Sequence, residues 1–299
     1  MATVYLASSQ SSGKVAIKEL SLSQVDPLDR ESAIKQFQVE AELLSHLDHP
    51  GLVKVREFFS VEGGGHYLVM DFVDGITMAQ GIKRKKGFFS LDQFRNIADQ
   101  LCEVLDYLHN QIPAVIFRDL KPSNVMVTRN YEVKLINFGI ARHFTDDTRT
   151  RTFIKGLGSA GYAPLEQYGA GTTDPRSDIY SLGATLYSLL TKLVPPPVVS
   201  IVAGVERLKP ICSINPDVPS YLEAVIGRMM ALRKEQRFDS IAQLRQRLLE
   251  APADDEDPTG TLGLAKRRAA SAELGPCLVC KRVGPDPGPF FPPHCPLSR

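Results

Sequence analysis

The stretch Phe117-Arg118-Asp119-Leu120-Lys121-Pro122-Ser123-Asn124 (FRDLKPSN), with Ile136-Asn137-Phe138-Gly139 (INFG) further on, decides how the chain is read. The first segment holds an acid, a lysine two residues on and an asparagine five residues on. Phosphoryl transfer needs such a set: Asp119 to accept the proton of a hydroxyl, Lys121 to neutralise the group in flight, and Asn124 to offer an oxygen to magnesium. Arg118 adds a positive group suited to a phosphorylated loop. Asn137 stands where a carboxylate for the metal is expected, and an amide there keeps the shape but loses the charge.

Outward from this loop, the pattern on its N-terminal side is first strand-like, then helical. TVYLA (3–7), a polar turn and VAIKEL (15–20) form a hairpin. Residues 29–47 place Ile34, Phe37, Ala41, Leu44 and Leu47 on one helical face. His49-Pro50-Gly51 ends that helix, and a second strand pair follows with glycines at its turn. Lys18 lies on a strand expected to be covered on both faces, where a lysine is costly unless paired. Glu40, on the polar flank of the helix, is the partner on offer.

Toward the C-terminus the chain turns helical. Residues 91–109 carry the stripe Phe94, Ile97, Leu101, Leu105 and Leu108, 125–136 form a hairpin, and helices are expected over 178–192, 218–232 and 238–250. A small strand-rich half before a larger helical half predicts an α+β chain of two lobes. After residue 251 the composition shifts to proline and small polar residues, which reads as linker and disorder.

Charge excludes two classes of partner. The 35 basic and 34 acidic residues nearly cancel, so nothing favours nucleic acid or a membrane surface. The runs KRKK (83–86) and AKRRAA (265–270) read as solvated surface. No apolar run is long enough to span a bilayer, and MATVYLASSQ does not resemble a secretory signal. Five cysteines, an odd number, point to a reducing compartment and the cytoplasm.

These motifs, in this order, resemble the eukaryotic-type protein kinase family, and their wording is closest to bacterial Ser/Thr kinases. The resemblance covers about residues 2–250: VAIK, Glu40, FRDLKPSN, NFG, GYAPLE (161–166), SDIYSLG (177–183) and Arg237 in EQRF. It implies an α+β two-lobed fold, with an N-lobe over 1–72 and a C-lobe over 73–250. It implies ATP, magnesium at a weakened site, and a protein substrate presenting Ser or Thr.

By position, Lys18 and Glu40 look like the ion pair of the active state. Met70 resembles the gatekeeper, with the backbone of Asp71 and Val73 offered to adenine and Val4, Ala16 and Met126 around its ring. Asp119 would be the base, and Lys121 with Ser159 resembles the Ser/Thr-specific subgroup. Asn124 and Asn137 fall at the metal positions. Glu166 with Arg237 would brace the C-lobe, and Asp178 would anchor the loop. Thr145, Thr148, Thr150 and Thr152 lie where activating phosphorylation usually occurs.

Three departures bear on activity. Phe117 replaces the usual His or Tyr but keeps an apolar stack with Phe138, Leu44 and Val55. Asn137 removes an electrostatic stabiliser, a loss of about 3–4 kcal/mol or a hundred- to thousand-fold in rate; nucleotide binding is expected to be weak and modestly metal-dependent. The chain also starts near where the family's third phosphate-loop glycine would fall. Either the start is assigned too late or the lid and first strand are missing, exposing a sheet edge. The expectation is therefore a kinase of reduced activity; the alternative is a pseudokinase that binds nucleotide or acts as a scaffold. In the tail, Cys277, Cys280, His294 and Cys295 could bind zinc, though one Cys-x-x-Cys pair with two adjacent ligands is an awkward set, and free thiols are the simpler reading.

Overall fold

Residues 2–9, 13–20, 26–61, 65–138, 142–143, 159–168 and 172–250 are described by a computed structural model. The alternation at the start of the chain becomes β1 (Ala2–Ser9) and β2 (Gly13–Leu20). They pair antiparallel with Val4 opposite Lys18 and Leu6 opposite Ala16. Gly13, at the start of β2, has φ +70°, which glycine adopts without steric cost. Helix α1 (Arg30–Ser45) follows, then β3 (Val55–Ser60) and β4 (His66–Asp71). The four strands form one antiparallel sheet in the order β1-β2-β4-β3. Helix α1 buries Phe37, Ala41 and Leu44, and Phe37 tilts onto Phe58 with ring centroids 5.9 Å apart.

Among the described residues β1 is one of the sheet's two edge strands, and Val4, Tyr5 and Leu6 on it are exposed. Tyr5 Oη donates to Glu19 Oε2 at 2.9 Å, a side-chain tie from β1 to β2.

The second lobe begins with β5 (Gly75–Thr77), α2 (Met78–Arg84) and α3 (Leu91–His109). The periodic stripe expected over 91–109 is a helix over the same residues, because Ser90 and Gln93 close a capping box at its start. Short strands β6 (Val115–Ile116), β7 (Val125–Thr128), β8 (Val133–Leu135) and β9 (Arg142–His143) form a β5-β7-β8 sheet and a β6-β9 pair. Then come α4 (Pro175–Thr191), α5 (Val198–Val202), α6 (Ile211–Ile214), α7 (Ser220–Met229) and α8 (Ile241–Leu249).

Helix α4 starts three residues before its apolar stretch. Asp174 caps it by accepting from Arg176 N at 2.9 Å, and Pro175 sits where its missing N–H costs nothing. Every residue from Ser177 to Thr191 is buried, so α4 forms the axis of the lobe. The architecture is the two-lobed α+β arrangement expected.

The lobes meet at His49-Pro50-Gly51. Leu135 N donates to Gly51 O at 2.8 Å, and Asp48 N donates to Tyr107 Oη at 2.9 Å. A Cβ on Gly51 would lie 2.9 Å from Val104 Cβ, so only glycine lets this loop touch α3. Among the described residues no helix is long and apolar enough to cross a membrane. Residues 251–299, with the four tail residues weighed for zinc, and Thr145, Thr148, Thr150 and Thr152 lie outside the described residues.

Candidate active site

The lysine on β2 meets its partner. Lys18 Nζ donates to Glu40 Oε1 at 2.6 Å, and both residues are buried, at 7% and 5% exposure. Glu40 is thus not on a polar flank: it lies on the face of α1 that carries Phe37 and Ala41, turned toward the sheet. Lys18 also stands 5.6 Å from the centre of the Phe37 ring. A buried pair of this kind persists because each charge neutralises the other.

The loop after β6 gathers the other charged groups. Asp119 Oδ1 accepts from Ser159 Oγ at 2.7 Å. Its Oδ2 accepts from Asn124 Nδ2 at 2.7 Å and lies 3.0 Å from Lys121 Nζ. Lys121 Nζ also donates to Ser159 Oγ at 2.6 Å. Ser159 therefore receives a proton bond from the lysine and passes one to the acid, the contact a substrate hydroxyl would need with a base.

Asn124 gives a second N–H to the Asp119 carbonyl at 2.8 Å, which leaves Oδ1 facing Asn137. There it accepts from Asn137 Nδ2 at 3.1 Å. Asn137 has φ +65°, a left-handed conformation that asparagine tolerates better than most residues. Ile136 N donates to Asn124 O at 2.9 Å, holding this strand end against the loop.

The loop is held from below. Asp178 on α4 accepts from Phe117 N at 2.8 Å and from Arg118 N at 2.7 Å. His109 Nε2, at the end of α3, lies 2.8 Å from the same carboxylate. His109 belongs to no motif of the sequence; it sits in the last turn of α3, and the packing of α3 on α4 brings it to Asp178. Phe117 packs edge-on against Phe138 with centroids 4.8 Å apart, in one apolar cluster with Leu44, and Val55 packs against it. Arg237, 1% exposed, donates to both Glu166 oxygens, at 2.6 and 3.1 Å, and Ser177 Oγ donates to the same glutamate at 2.8 Å.

The residues assigned to adenine are spread over four strands, β1, β2, β4 and β7, and the segment after β4. Ala16 lies opposite Met70 across β2 and β4, and Val4 is opposite Lys18 on β1. Met126 on β7 pairs with Thr77 and Lys134, so it belongs to the smaller sheet. The Asp71 carboxylate is ion-paired with Arg56, and its N–H donates to Lys54 O at 3.0 Å. Val73 is half-buried in the connection that follows.

A strand-rich lobe with a buried Lys–Glu pair, above a helical lobe with an acid–lysine–asparagine loop, defines a protein kinase domain. Residues 1–247 match the protein kinase domain family, and the chain belongs to it. It is 33% identical over 217 residues to the probable serine/threonine-protein kinase PknB of Lactococcus lactis, covering 71% of this chain and 34% of that protein. Over 223 residues it is 33% identical to serine/threonine-protein kinase PknB of Mycolicibacterium smegmatis, covering 72% and 35%. The chain thus spans about a third of the length of the curated relatives it matches. The crystal structure of the Mycobacterium tuberculosis PknI kinase domain superposes with TM-score 0.63 at 25% identity, covering 83% of this chain and 90% of that one.

Protein kinases generally use ATP and magnesium. The donor set here does not fit a resident magnesium ion. Asn124 and Asn137 are neutral, and the oxygen of the first accepts from the N–H of the second at 3.1 Å, so a metal would compete with that bond. Among the described residues the carboxylate bonded to Asn124, that of Asp119, is paired with Lys121. Among the described residues no three His, Cys, Asp or Glu side chains gather as a metal site.

Proposed function

We propose that the chain is a serine/threonine protein kinase domain that transfers the γ-phosphoryl group of ATP to a Ser or Thr hydroxyl of a protein, slowly, because of Asn137. The observation that carries this reading is the assembled triangle of Asp119, Lys121 and Ser159, with every edge at hydrogen-bond distance. In it Asp119 accepts the hydroxyl proton, Lys121 offers charge to the transferring group, and Asn124 holds the acid in orientation. Lys18, steadied by Glu40, meets the nucleotide phosphates. Val4, Ala16, Met70 and Met126, with the backbone of Asp71 and Val73, take the adenine. The kinase domain runs over residues 1–250 with a tail beyond it, and it acts in the cytoplasm.

A second reading, a pseudokinase that binds nucleotide without catalysis, is favoured by the Asn137–Asn124 hydrogen bond. Phosphoryl transfer to a generic Ser/Thr protein separates them. Asn137→Asp is expected to raise the rate about a hundredfold, restoring one electrostatic stabiliser. Adding Asp119→Asn should abolish that gain. No transfer by Asn137→Asp, with nucleotide still bound, would leave the pseudokinase reading standing.

A further inference from the structure

We propose that this site takes its nucleotide without a divalent cation, the Asn137 amide bridging to Asn124 where a metal would otherwise join the two positions, and that it recognises adenosine while gaining little from the phosphate chain. The proposal rests on the nucleotide-binding part of the reading above.

The orientation of the bridge is dictated by its neighbours. Asn124, 3% exposed, spends both amide protons on Asp119, on its carbonyl at 2.8 Å and its Oδ2 at 2.7 Å. Its oxygen must then face Asn137, and the group that best faces an amide oxygen is an N–H. Asn137 is fixed on both sides: Ile136 N donates to Asn124 O, and the buried Phe138 is packed against Phe117. A metal entering here must turn the Asn137 amide, break the 3.1 Å bond and set two neutral oxygens toward itself. Magnesium favours anionic oxygen, so neither oxygen repays the ion's lost water well.

Charge carries the consequence to the ligand. Lys18 is neutralised by Glu40 and Lys121 by Asp119, so these four side chains sum to zero. A triphosphate without its metal brings several negative charges to two lysines whose charge is already balanced. Its outer phosphates find hydrogen-bond donors there but no net attraction.

Calorimetric titration of the full chain with adenosine, ADP and ATP, each in excess EDTA and in excess magnesium, tests this. Wild-type affinities should agree within about threefold across the three ligands and with either additive. In Asn137→Asp, magnesium should tighten ATP by about tenfold or more, and adenosine should bind as in the wild type, which shows the site is intact. Wild-type ATP binding about tenfold tighter with magnesium than with EDTA overturns the proposal, as does ATP in EDTA binding that much tighter than adenosine. If none of the three ligands binds, the nucleotide reading itself falls and takes this inference with it. A preference among ligands that do bind overturns only the inference.

Discussion

Single residues in this domain do work that their type alone does not announce. Asn137 holds a left-handed backbone and supplies an N–H where a carboxylate would supply charge; one amide changes what the site can hold. Tyr180 on α4 is the opposite case, a polar group without employment. Its hydroxyl is buried and has no hydrogen-bond partner among the described residues, while Arg237 lies over its ring at 5.0 Å. Burial pushes its pKa up to about 12, against a small opposing pull from Arg237. Tyr180→Phe keeps the ring under the guanidinium and removes the stranded hydroxyl. It should be as stable as wild type or more so, by about 1 kcal/mol. Urea denaturation reads this; a clear loss of stability would mean the hydroxyl has a partner.

At the scale of elements, close contacts set the demands. Helix α4 is buried all round, and α7 crosses it at Gly183, where a Cβ would lie 2.8 Å from Met229 Cβ and 3.0 Å from Met230 Cγ. Gly183→Ala gains helix propensity but must push α7 away. The overpacking should dominate and cost about 1–3 kcal/mol, seen as a lower thermal midpoint. The turn carrying Glu166 is tied to the start of α8 through Arg237, whose guanidinium also donates to the carbonyls of Arg176, Ala231 and Leu232. Arg237→Ala leaves Glu166 with little water and no cation, and should cost about 3–5 kcal/mol. A denaturation midpoint near wild type for this variant would show that Glu166 reaches solvent.

At the scale of the whole molecule, the joint between the lobes carries a pH-sensitive group. Gly51 N donates to His49 Nδ1 at 2.9 Å, which requires that nitrogen to be unprotonated, and the His49 ring lies on Tyr107 with centroids 4.8 Å apart. Burial lowers the His49 pKa below its ordinary 6.5; Glu103 pulls the other way and Lys134 adds to the lowering. Above 6.5 the ring is neutral in both folded and unfolded chains, and its contribution to stability is complete. Below it the unfolded chain takes up a proton that the fold resists, so stability falls until the folded group titrates as well. The urea midpoint of the wild type should therefore drop more between about pH 7.5 and pH 5 than that of His49→Asn. Equal drops would place the acid sensitivity elsewhere.

Much of this molecule is legible before folding. The α3 stripe, the strand alternation and the FRDLKPSN loop follow from spacing, because helices and strands impose periods that apolar side chains must match. The partnership of Lys18 with Glu40 could be anticipated, since a covered lysine needs a counter-charge. The burial of Glu40 could not, because α1 is placed against the sheet by contacts such as Phe37 with Phe58. The same holds for His109 on Asp178 and for Gly51 against Val104, which join residues far apart in the chain. Nor does spacing tell which way an amide faces. Asn137 is legible as a missing charge, but its role as donor to Asn124 depends on Asp119 claiming both protons of that asparagine, a hydrogen-bond constraint that exists once the loop and the end of β8 lie side by side.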